Sequence, residues 1–350
     1  MDKKYRVGIL GATGTVGQRF IQLLENHPQF EITALAASDR SQGKAYAEAC
    51  AWRLPGEMPA SVRKIVVEAP RPPLDCDFVF SSLPGDIARE TEASFAHAGY
   101  PVISNSAAFR MDEDVPLLIP EVNHEHLSIL GAKQESTDRK AGVIVANPNC
   151  STIMLAMALA PLNARFGIEA IVVTTLQALS GAGYPGVSAM DITDNIVPYI
   201  NSEEEKIERE TLKILGQVKE RRIEAASFPI SAQCHRVNVL EGHTAAVRVR
   251  LSQKAAIEDV REAFASWTSL PQELRLHSAP SQPIIVRDEI DRPQPRLDRD
   301  AGGGMSITIG RIQPDQVLDY RFVALSHNTI RGAAGAAILN AELLIAKSYL

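Results

Sequence analysis

Long apolar runs are missing from this 350-residue chain. The longest strongly apolar stretch, residues 153–162, contains Pro161 and is too short to span a bilayer, so no membrane partner is expected. Residues 1–5 carry no apolar signal-peptide core before the first strand-like run, and a cytoplasmic location is the expectation. C-x-x-C pairs are also missing. The four cysteines, Cys50, Cys76, Cys150 and Cys234, are scattered, which leaves a zinc knuckle or redox pair unsupported and reads as free thiols in a reducing compartment. No metal site is expected. Basic clusters are lacking too. Lys and Arg are dispersed and the net charge is −6, so no nucleic-acid footprint is present. There are no internal repeats and no low-complexity tract. What remains is 45% hydrophobic and 22% charged, the composition of an ordinary globular protein with one large domain or two smaller ones.

Within that composition one stretch stands out, Asn147-Pro148-Asn149-Cys150-Ser151-Thr152. It joins a strand-like run at residues 142–146 to an apolar helical run from Ile153. Cys150 would sit in the first turn of a helix, where unpaired N–H groups and the positive end of the dipole favour a thiolate. The competing reading is a buried, inert thiol, since free cysteine is among the most buried residue types.

The first half alternates strands and helices. Tyr5-Arg6-Val7-Gly8-Ile9-Leu10 reads as a buried strand, followed by Gly11-Ala12-Thr13-Gly14-Thr15-Val16-Gly17 and a helical run. A strand, glycine-rich turn and helix open a dinucleotide-binding unit. The glycines admit the pyrophosphate and the helix N-terminus supplies N–H donors. The spacing is G-x-x-G-x-x-G rather than G-x-G-x-x-G, and a ligand-free tight turn is the bland alternative. After the second strand, residues 31–37, come Ser38, Asp39, Arg40, Ser41 and Lys44. Hydroxyls and cations suit the 2′-phosphate of NADP, whereas Asp39 would suit the ribose of NAD, and NADP is the expected cofactor. Further strands are expected at residues 64–67, 77–80 and 101–103. Ser82 and Leu83 follow one of them at the sheet edge where ligands bind in such folds. Arg110, from its surroundings alone, reads as a surface cation. Residues 131–142 read as a polar loop. Together these elements predict an open, mostly parallel sheet.

The second half has another texture. A long strand is expected at residues 170–179, then a glycine-rich loop, Ser180-Gly181-Ala182-Gly183-Tyr184-Pro185-Gly186. Ser180 is no hydrolase nucleophile elbow, because Ala rather than Gly stands at position 178. Ser202 and Glu205 match a capping box opening a helix, which would explain the acids there without any function. Alternating strands at residues 244–251, 305–310 and 319–325, a helix at 254–267, and a small-faced helix from Asn328 suggest a largely antiparallel sheet in an α+β domain. Cys150 then falls at a domain junction, a common place for an active site.

A nicotinamide cofactor with one activated cysteine points to thioester chemistry, which needs a proton carrier and cations for an acidic substrate. Arg236 and His243 supply both residue types, although each alone reads as an ordinary surface or core residue. At this point the motifs coincide with a known family. The glycine turn at residues 11–17, Pro148-Asn149-Cys150-Ser151-Thr152, Gln177-Ala178-Leu179-Ser180-Gly181-Ala182-Gly183, Glu203-Glu204-Glu205-Lys206, Arg236 with His243, and Asn328-Thr329-Ile330-Arg331-Gly332-Ala333-Ala334 occur in order along the chain. The chain resembles the aspartate-β-semialdehyde dehydrogenases, in particular their archaeal and fungal branch, over essentially its whole length.

That resemblance implies a Rossmann-type NADP-binding domain at residues 1–149 plus 328–350. It also implies an α+β catalytic and dimerisation domain of the glyceraldehyde-3-phosphate-dehydrogenase-like type at residues 150–327. Cys150 would be the acylated nucleophile, His243 the acid/base, and Gln177 would orient the acyl group. Arg236 would hold the substrate α-carboxylate and Glu203 its α-amino group, with Lys206 and Arg110 binding phosphate beside Asn149. Gly11, Thr13, Gly14, Thr15, Val16, Ser38, Arg40, Ser41, Ser82, Leu83, Ser180, Gly181 and Asn328 would contact NADP(H). The implied reaction is NADPH-dependent reduction of L-4-aspartyl phosphate to L-aspartate-4-semialdehyde with release of phosphate, a step toward lysine, threonine, methionine and isoleucine. The implied assembly is a homodimer or homotetramer. Alternatives are a related cysteine-dependent reductase, acting on malonyl-CoA or N-acetylglutamyl phosphate, and a non-catalytic NADP-binding regulator.

Overall fold

The computed structural model describes residues 4–130 and 142–350. Residues 131–141, most of the expected polar loop, and residues 1–3 lie outside the described residues. Two compact units divide the chain. The first comprises Met1–Leu118, His126–Asn147 and Ala333–Leu350; the second comprises Ile119–Glu125 and Pro148–Gly332.

The first unit is built on a five-stranded sheet of β1 (Tyr5–Leu10), β2 (Phe30–Ala36), β3 (Phe78–Ser81), β4 (Val102–Ser104) and β5 (Ile144–Ala146), in the order β2-β1-β3-β4-β5. Every pairing is parallel. Parallel strands need crossovers, and the helices Thr15–Leu24 and Gly85–His97 provide two of them. Val7, Ile9 and Leu10 on central β1 are fully buried, as a strand covered on both faces requires. Phe20 stacks on Phe80 with ring centroids 4.7 Å apart, and Phe30 meets Phe78 edge-on at 5.5 Å. The strand expected at residues 64–67 is not part of the sheet. Only the single bridges Ala45↔Val66 and Ala36↔Glu68 form there, and Val66 faces solvent, so the segment has no second face to bury.

Helix Gly335–Ala346 completes this unit. All of its residues from Gly335 to Leu344 are buried, so it is a core helix rather than an amphipathic one. Two of its polar side chains are engaged. Glu342 lies 2.9 Å from His27 Nε2, and Asn340 Nδ2 donates to Asn147 Oδ1 at 3.2 Å. Glu92 is buried and joins two strand tips, accepting from Ser81 Oγ at 2.6 Å and Ser104 Oγ at 2.8 Å. Burial pushes its pKa up.

The second unit contains β6 (Ile168–Gln177), a hairpin of β7 (Gln217–Lys219) and β8 (Arg222–Glu224), β9 (Ile230–Arg236), β10 (His243–Leu251), β11 (Ile284–Val286), β12 (Ile307–Pro314) and β13 (Tyr320–Ser326). Six of these form a sheet in the order β11-β12-β13-β10-β6-β9. Its three inner pairings are antiparallel and the two outer ones, β11 with β12 and β6 with β9, are parallel. The sheet is therefore mixed rather than largely antiparallel. Helices Cys150–Phe166, Glu203–Ile214 and Ile257–Ala265 pack on it. Alternation along β6 buries Ile171 and Val173 and exposes Val172 and Leu176.

Three local expectations need correction. The helix expected at residues 254–267 is confined to Ile257–Ala265. The capping box at Ser202 does not form, because Ser202 has φ +57° and its side chain makes no cap bond, whereas a capping serine needs an extended backbone. The C-terminal helix does not begin at Asn328. Residues Ile330–Ala334 form a π-helical turn, and the regular helix starts at Gly335.

Candidate active site

Strand direction assembles this site. Parallel β6 and β9 end side by side, with Gln177 opposite Arg236. Antiparallel β10 begins at that edge with His243, and β13 ends there with Ser326 paired to His243. Four strands thus deliver Gln177, Arg236, His243 and the turn His327-Asn328 to one edge of one sheet.

Cys150 enters as the first residue of its helix. Asn149 caps that helix, its Oδ1 accepting from Ser151 N at 2.8 Å and Thr152 N at 3.2 Å. With Oδ1 committed to the cap, Nδ2 must point away, and it donates to Glu203 Oε1 at 2.8 Å. The Asn149 backbone N–H donates to Glu210 Oε2 at 2.7 Å. Glu203 and Glu210 lie two turns apart on one helix, so a single helix face fixes the residue before the cysteine. Glu203 is therefore buried and engaged, not a cap, and its second oxygen faces Lys206 Nζ at 3.7 Å.

Cys150 Sγ lies 3.1 Å from His243 Nε2. The other ring nitrogen, Nδ1, accepts the backbone N–H of Ala178 at 3.0 Å. Burial, then Arg236 and His327, hold the His243 pKa down to about 3. Arg236 Nη1 donates to Ala178 O at 2.7 Å, and burial lowers the Arg236 pKa against the opposing pull of Cys150 and Glu203. Gln177 Nε2 donates to Thr175 Oγ1 at 3.2 Å. Asn328 braces the wall, with Nδ2 donating to Ser180 Oγ at 2.8 Å and Oδ1 accepting from Gly242 N at 2.9 Å.

Two glycines admit these close approaches. A Cβ on Gly332 would lie 2.6 Å from Cys150 Cβ. One on Gly181 would lie 2.8 Å from Arg236 Nη1 and 3.1 Å from His243 Cε1. Gly181→Ala is therefore expected to displace both side chains and lower kcat/KM by ~10²-fold or more, while thermal stability changes little. Steady-state kinetics beside a melting curve checks this, and unaltered kinetics would show that the wall yields.

Arg110, the glycine turn, Ser38, Arg40, Ser41, Ser82 and Leu83 belong to the first unit, and Ser180, Gly181 and Asn328 to the second. Arg110 is not the surface cation its sequence surroundings suggest. It is buried, and its guanidinium donates to Asn147 O at 3.0 Å and Asn105 O at 2.8 Å. The glycine turn fits a dinucleotide pyrophosphate. Gly11 has φ +79°, and a Cβ there would meet Ser82 O at 2.8 Å; one on Gly17 would meet Gly11 O at 2.3 Å. The helix that follows starts without a side-chain cap at the exposed Gly14, which leaves its N-terminal donors open to an anion. Ser38, Asp39 and Arg40 are exposed after β2, Ser41 is buried, and Leu83 is buried after β3. Among the described residues no group of three or more His, Cys, Asp or Glu is placed to hold a metal ion. No helix among the described residues is long and apolar enough to cross a membrane.

A parallel nucleotide-type unit joined to a mixed-sheet unit with a cysteine–histidine pair defines a two-part dehydrogenase. Residues 6–130 match the model of the semialdehyde dehydrogenase NAD binding domain, and residues 159–331 that of the semialdehyde dehydrogenase dimerisation domain. The aspartate-semialdehyde dehydrogenase of Methanothermobacter thermautotrophicus is 54% identical over 342 residues, covering 97% of this chain and 98% of its own. That of Candida albicans is 48% identical, with 99% of each chain covered. A solved structure of aspartate semialdehyde dehydrogenase with NADP from Candida albicans is similar at TM-score 0.93 and 46% identity, over 99% of this chain and 100% of that one. The chain belongs to the aspartate-semialdehyde dehydrogenase family.

Proposed function

We propose that the chain reduces L-4-aspartyl phosphate to L-aspartate-4-semialdehyde with NADPH and releases phosphate. The observation that carries this reading is the Cys150 sulfur, 3.1 Å from His243 Nε2 at the start of a capped helix, with Arg236 and Glu203 close by. His243, as the acid/base, takes the thiol proton; the sulfur lone pair attacks the acyl carbon, the bond to phosphate breaks with its electron pair leaving on phosphate, and a thioester forms on Cys150. Bound NADPH supplies the hydride that reduces this acyl group.

The remaining residues bind and orient. Arg236 pairs with the substrate carboxylate, and Glu203 takes its ammonium by displacing the loose contact with Lys206. Lys206 and Arg110 receive the phosphate, Asn149 holds the nucleophile's turn, and Gln177 orients the acyl group. The glycine-turn residues Gly11, Thr13, Gly14, Thr15 and Val16, with Ser82 and Leu83, hold the dinucleotide. Ser38, Arg40 and Ser41 select the 2′-phosphate of NADP, and Ser180, Gly181 and Asn328 serve the nicotinamide end. The first unit is the nucleotide-binding body and the second the catalytic one. The exposed side of the six-stranded sheet, with Val172 and Leu176, is the surface assigned to pairing with a second copy.

Purified protein given NADP, phosphate and aspartate semialdehyde is expected to generate NADPH, faster than NADH forms from equal NAD. It is expected not to consume NADPH with malonyl-CoA. Consumption with malonyl-CoA and no turnover of aspartate semialdehyde would overturn the assignment.

A further inference from the structure

We infer that Tyr46, with Gln18 and Cys50 beside it, is a positioning residue for the dinucleotide: the three side chains hold the carbonyls of the glycine turn from behind and so aim its amides at the pyrophosphate. This rests on that turn being the nucleotide site proposed above. The Tyr46 hydroxyl donates to Ala12 O at 2.8 Å. Gln18 Nε2 donates to Thr13 O at 3.1 Å, and Cys50 Sγ lies 3.9 Å from the same oxygen. A trans peptide points its C=O and its N–H in opposite directions. Fixing Ala12 O on buried Tyr46 therefore turns the Thr13 N–H the other way, toward the open side of the turn where Gly14 is exposed. On the next peptide, whose oxygen Gln18 holds, the Gly14 N–H closes the turn on Gly11 O at 3.0 Å.

The holders are themselves fixed. Tyr46 and Gln18 are both buried. Burial pushes the Tyr46 pKa up, so its hydroxyl keeps its proton and stays a donor. Gln18 is oriented by its other bonds. Its Nε2 also donates to Ala51 O at 3.2 Å, and its Oε1 accepts from Arg53 N at 2.7 Å, so a flipped amide would lose all three partners. One helical turn on, Gln22 Nε2 donates to Pro55 O at 3.1 Å. Residues 51–55 are thereby stitched to the helix that follows the glycine turn.

The strand-like run at residues 64–67, which stays outside the sheet, is the bracket that carries Tyr46. Tyr46 N donates to Ile65 O at 2.8 Å and Ala47 N to Arg63 O at 3.1 Å. Gly43 N donates to Val67 O at 2.8 Å, and Val67 N to Lys44 O at 2.9 Å. The bracket is tied in turn to the end of β2, with Glu68 N donating to Leu35 O at 2.8 Å and Ala37 N to Glu68 O at 3.1 Å. The glycine turn hangs from the same place, since Gly11 N and Ala12 N both donate to Ala36 O, at 2.9 and 3.0 Å. The end of β2 is thus the common anchor of the turn and of the phenol that orients it. Amides set in direction before the ligand arrives lower the cost of binding it.

The test is binding to the whole protein without turnover, so it is separate from the identity of the acyl substrate. Fluorescence titration gives the affinity for NADPH. Displacement gives that for adenosine 2′-monophosphate, which has the adenosine end but no pyrophosphate. In Tyr46→Phe the NADPH affinity should fall about fivefold, the worth of one hydrogen bond, while that for adenosine 2′-monophosphate stays within about twofold. Gln18→Met, which removes the donor to Thr13 O, should show the same split. A merely structural role would weaken both nucleotides alike or neither. Equal losses for the two nucleotides, or an NADPH affinity unchanged in both variants, overturns the inference. If Tyr46→Phe does not fold, Gln18→Met decides. If the parent protein binds neither nucleotide, the nucleotide reading of the turn falls and this inference falls with it.

Discussion

Cys150→Ala is expected to lower kcat by at least ~10³-fold while the affinity for NADP stays within a factor of ~2. The size follows from where the sulfur sits. Cys150 is the first residue of a helix whose N-terminal amides are oriented by Asn149, and it is the thiol nearest His243 Nε2. No other thiol can substitute, because Cys50, Cys76 and Cys234 are all buried. The nucleotide affinity should not move, because Cys150 is not among the residues proposed to hold the dinucleotide. Kinetics in the direction of NADPH formation, beside fluorescence titration with NADPH, checks both halves. Activity retained within ~10-fold would remove Cys150 from the chemistry.

Arg331→Met is expected to destabilise the second unit by about 3–5 kcal/mol. Arg331 and Glu121 are both fully buried and meet through two parallel bonds, Nη1 to Oε1 and Nη2 to Oε2, each 2.7 Å. Removing the cation leaves a carboxylate with no solvent and no partner charge. The methionine itself fits the chemistry of the space, since Arg331 Nη2 already lies 3.2 Å from Met157 Sδ. The loss therefore comes from the orphaned Glu121 and not from a cavity. Replacing both, Glu121→Leu with Arg331→Met, should recover a large part of it. Thermal melts of the two variants and the parent decide the matter. Equal melting temperatures for the single variant and the parent would mean that Glu121 takes up a proton at little cost. Gly332 follows Arg331 and runs so close to Cys150 that a Cβ there would not fit, so alkylation of Cys150 should also slow in the single variant and recover in the double one.

Sequence showed some of this site clearly and other parts not at all, for physical reasons. Cys150 was legible because it stands between a strand-like run and an apolar helical run, which places it in the first turn of a helix; that Asn149 caps this turn emerged only in the structure. The glycine turn was legible because β1, its glycines and its helix are contiguous. Ser202 was misread because a capping pattern specifies residue types while the cap depends on φ, which is left-handed there. Strand β9, Ile-Ser-Ala-Gln-Cys-His-Arg, has little strand character of its own and forms because β6 lies beside it. Glu121 and Arg331 are separated by 210 positions, and no local pattern joins them. Glu210 was hidden among the many acids of an amphipathic helix, although its i+7 spacing from Glu203 was available as a clue. The Ala178 N–H is a backbone group, so no residue type announces it.

The all-round burial of helix Gly335–Ala346 has a consequence for how the protein is made. The first unit draws its core from the earliest strands and from residues 333–350, so it cannot close on the ribosome while the stretch between them is being synthesised. Nearly all of the second unit is translated before that helix emerges. Translation order and folding order are therefore reversed for these two bodies, and the five parallel strands must wait, partly uncovered, for the final segment to seal them.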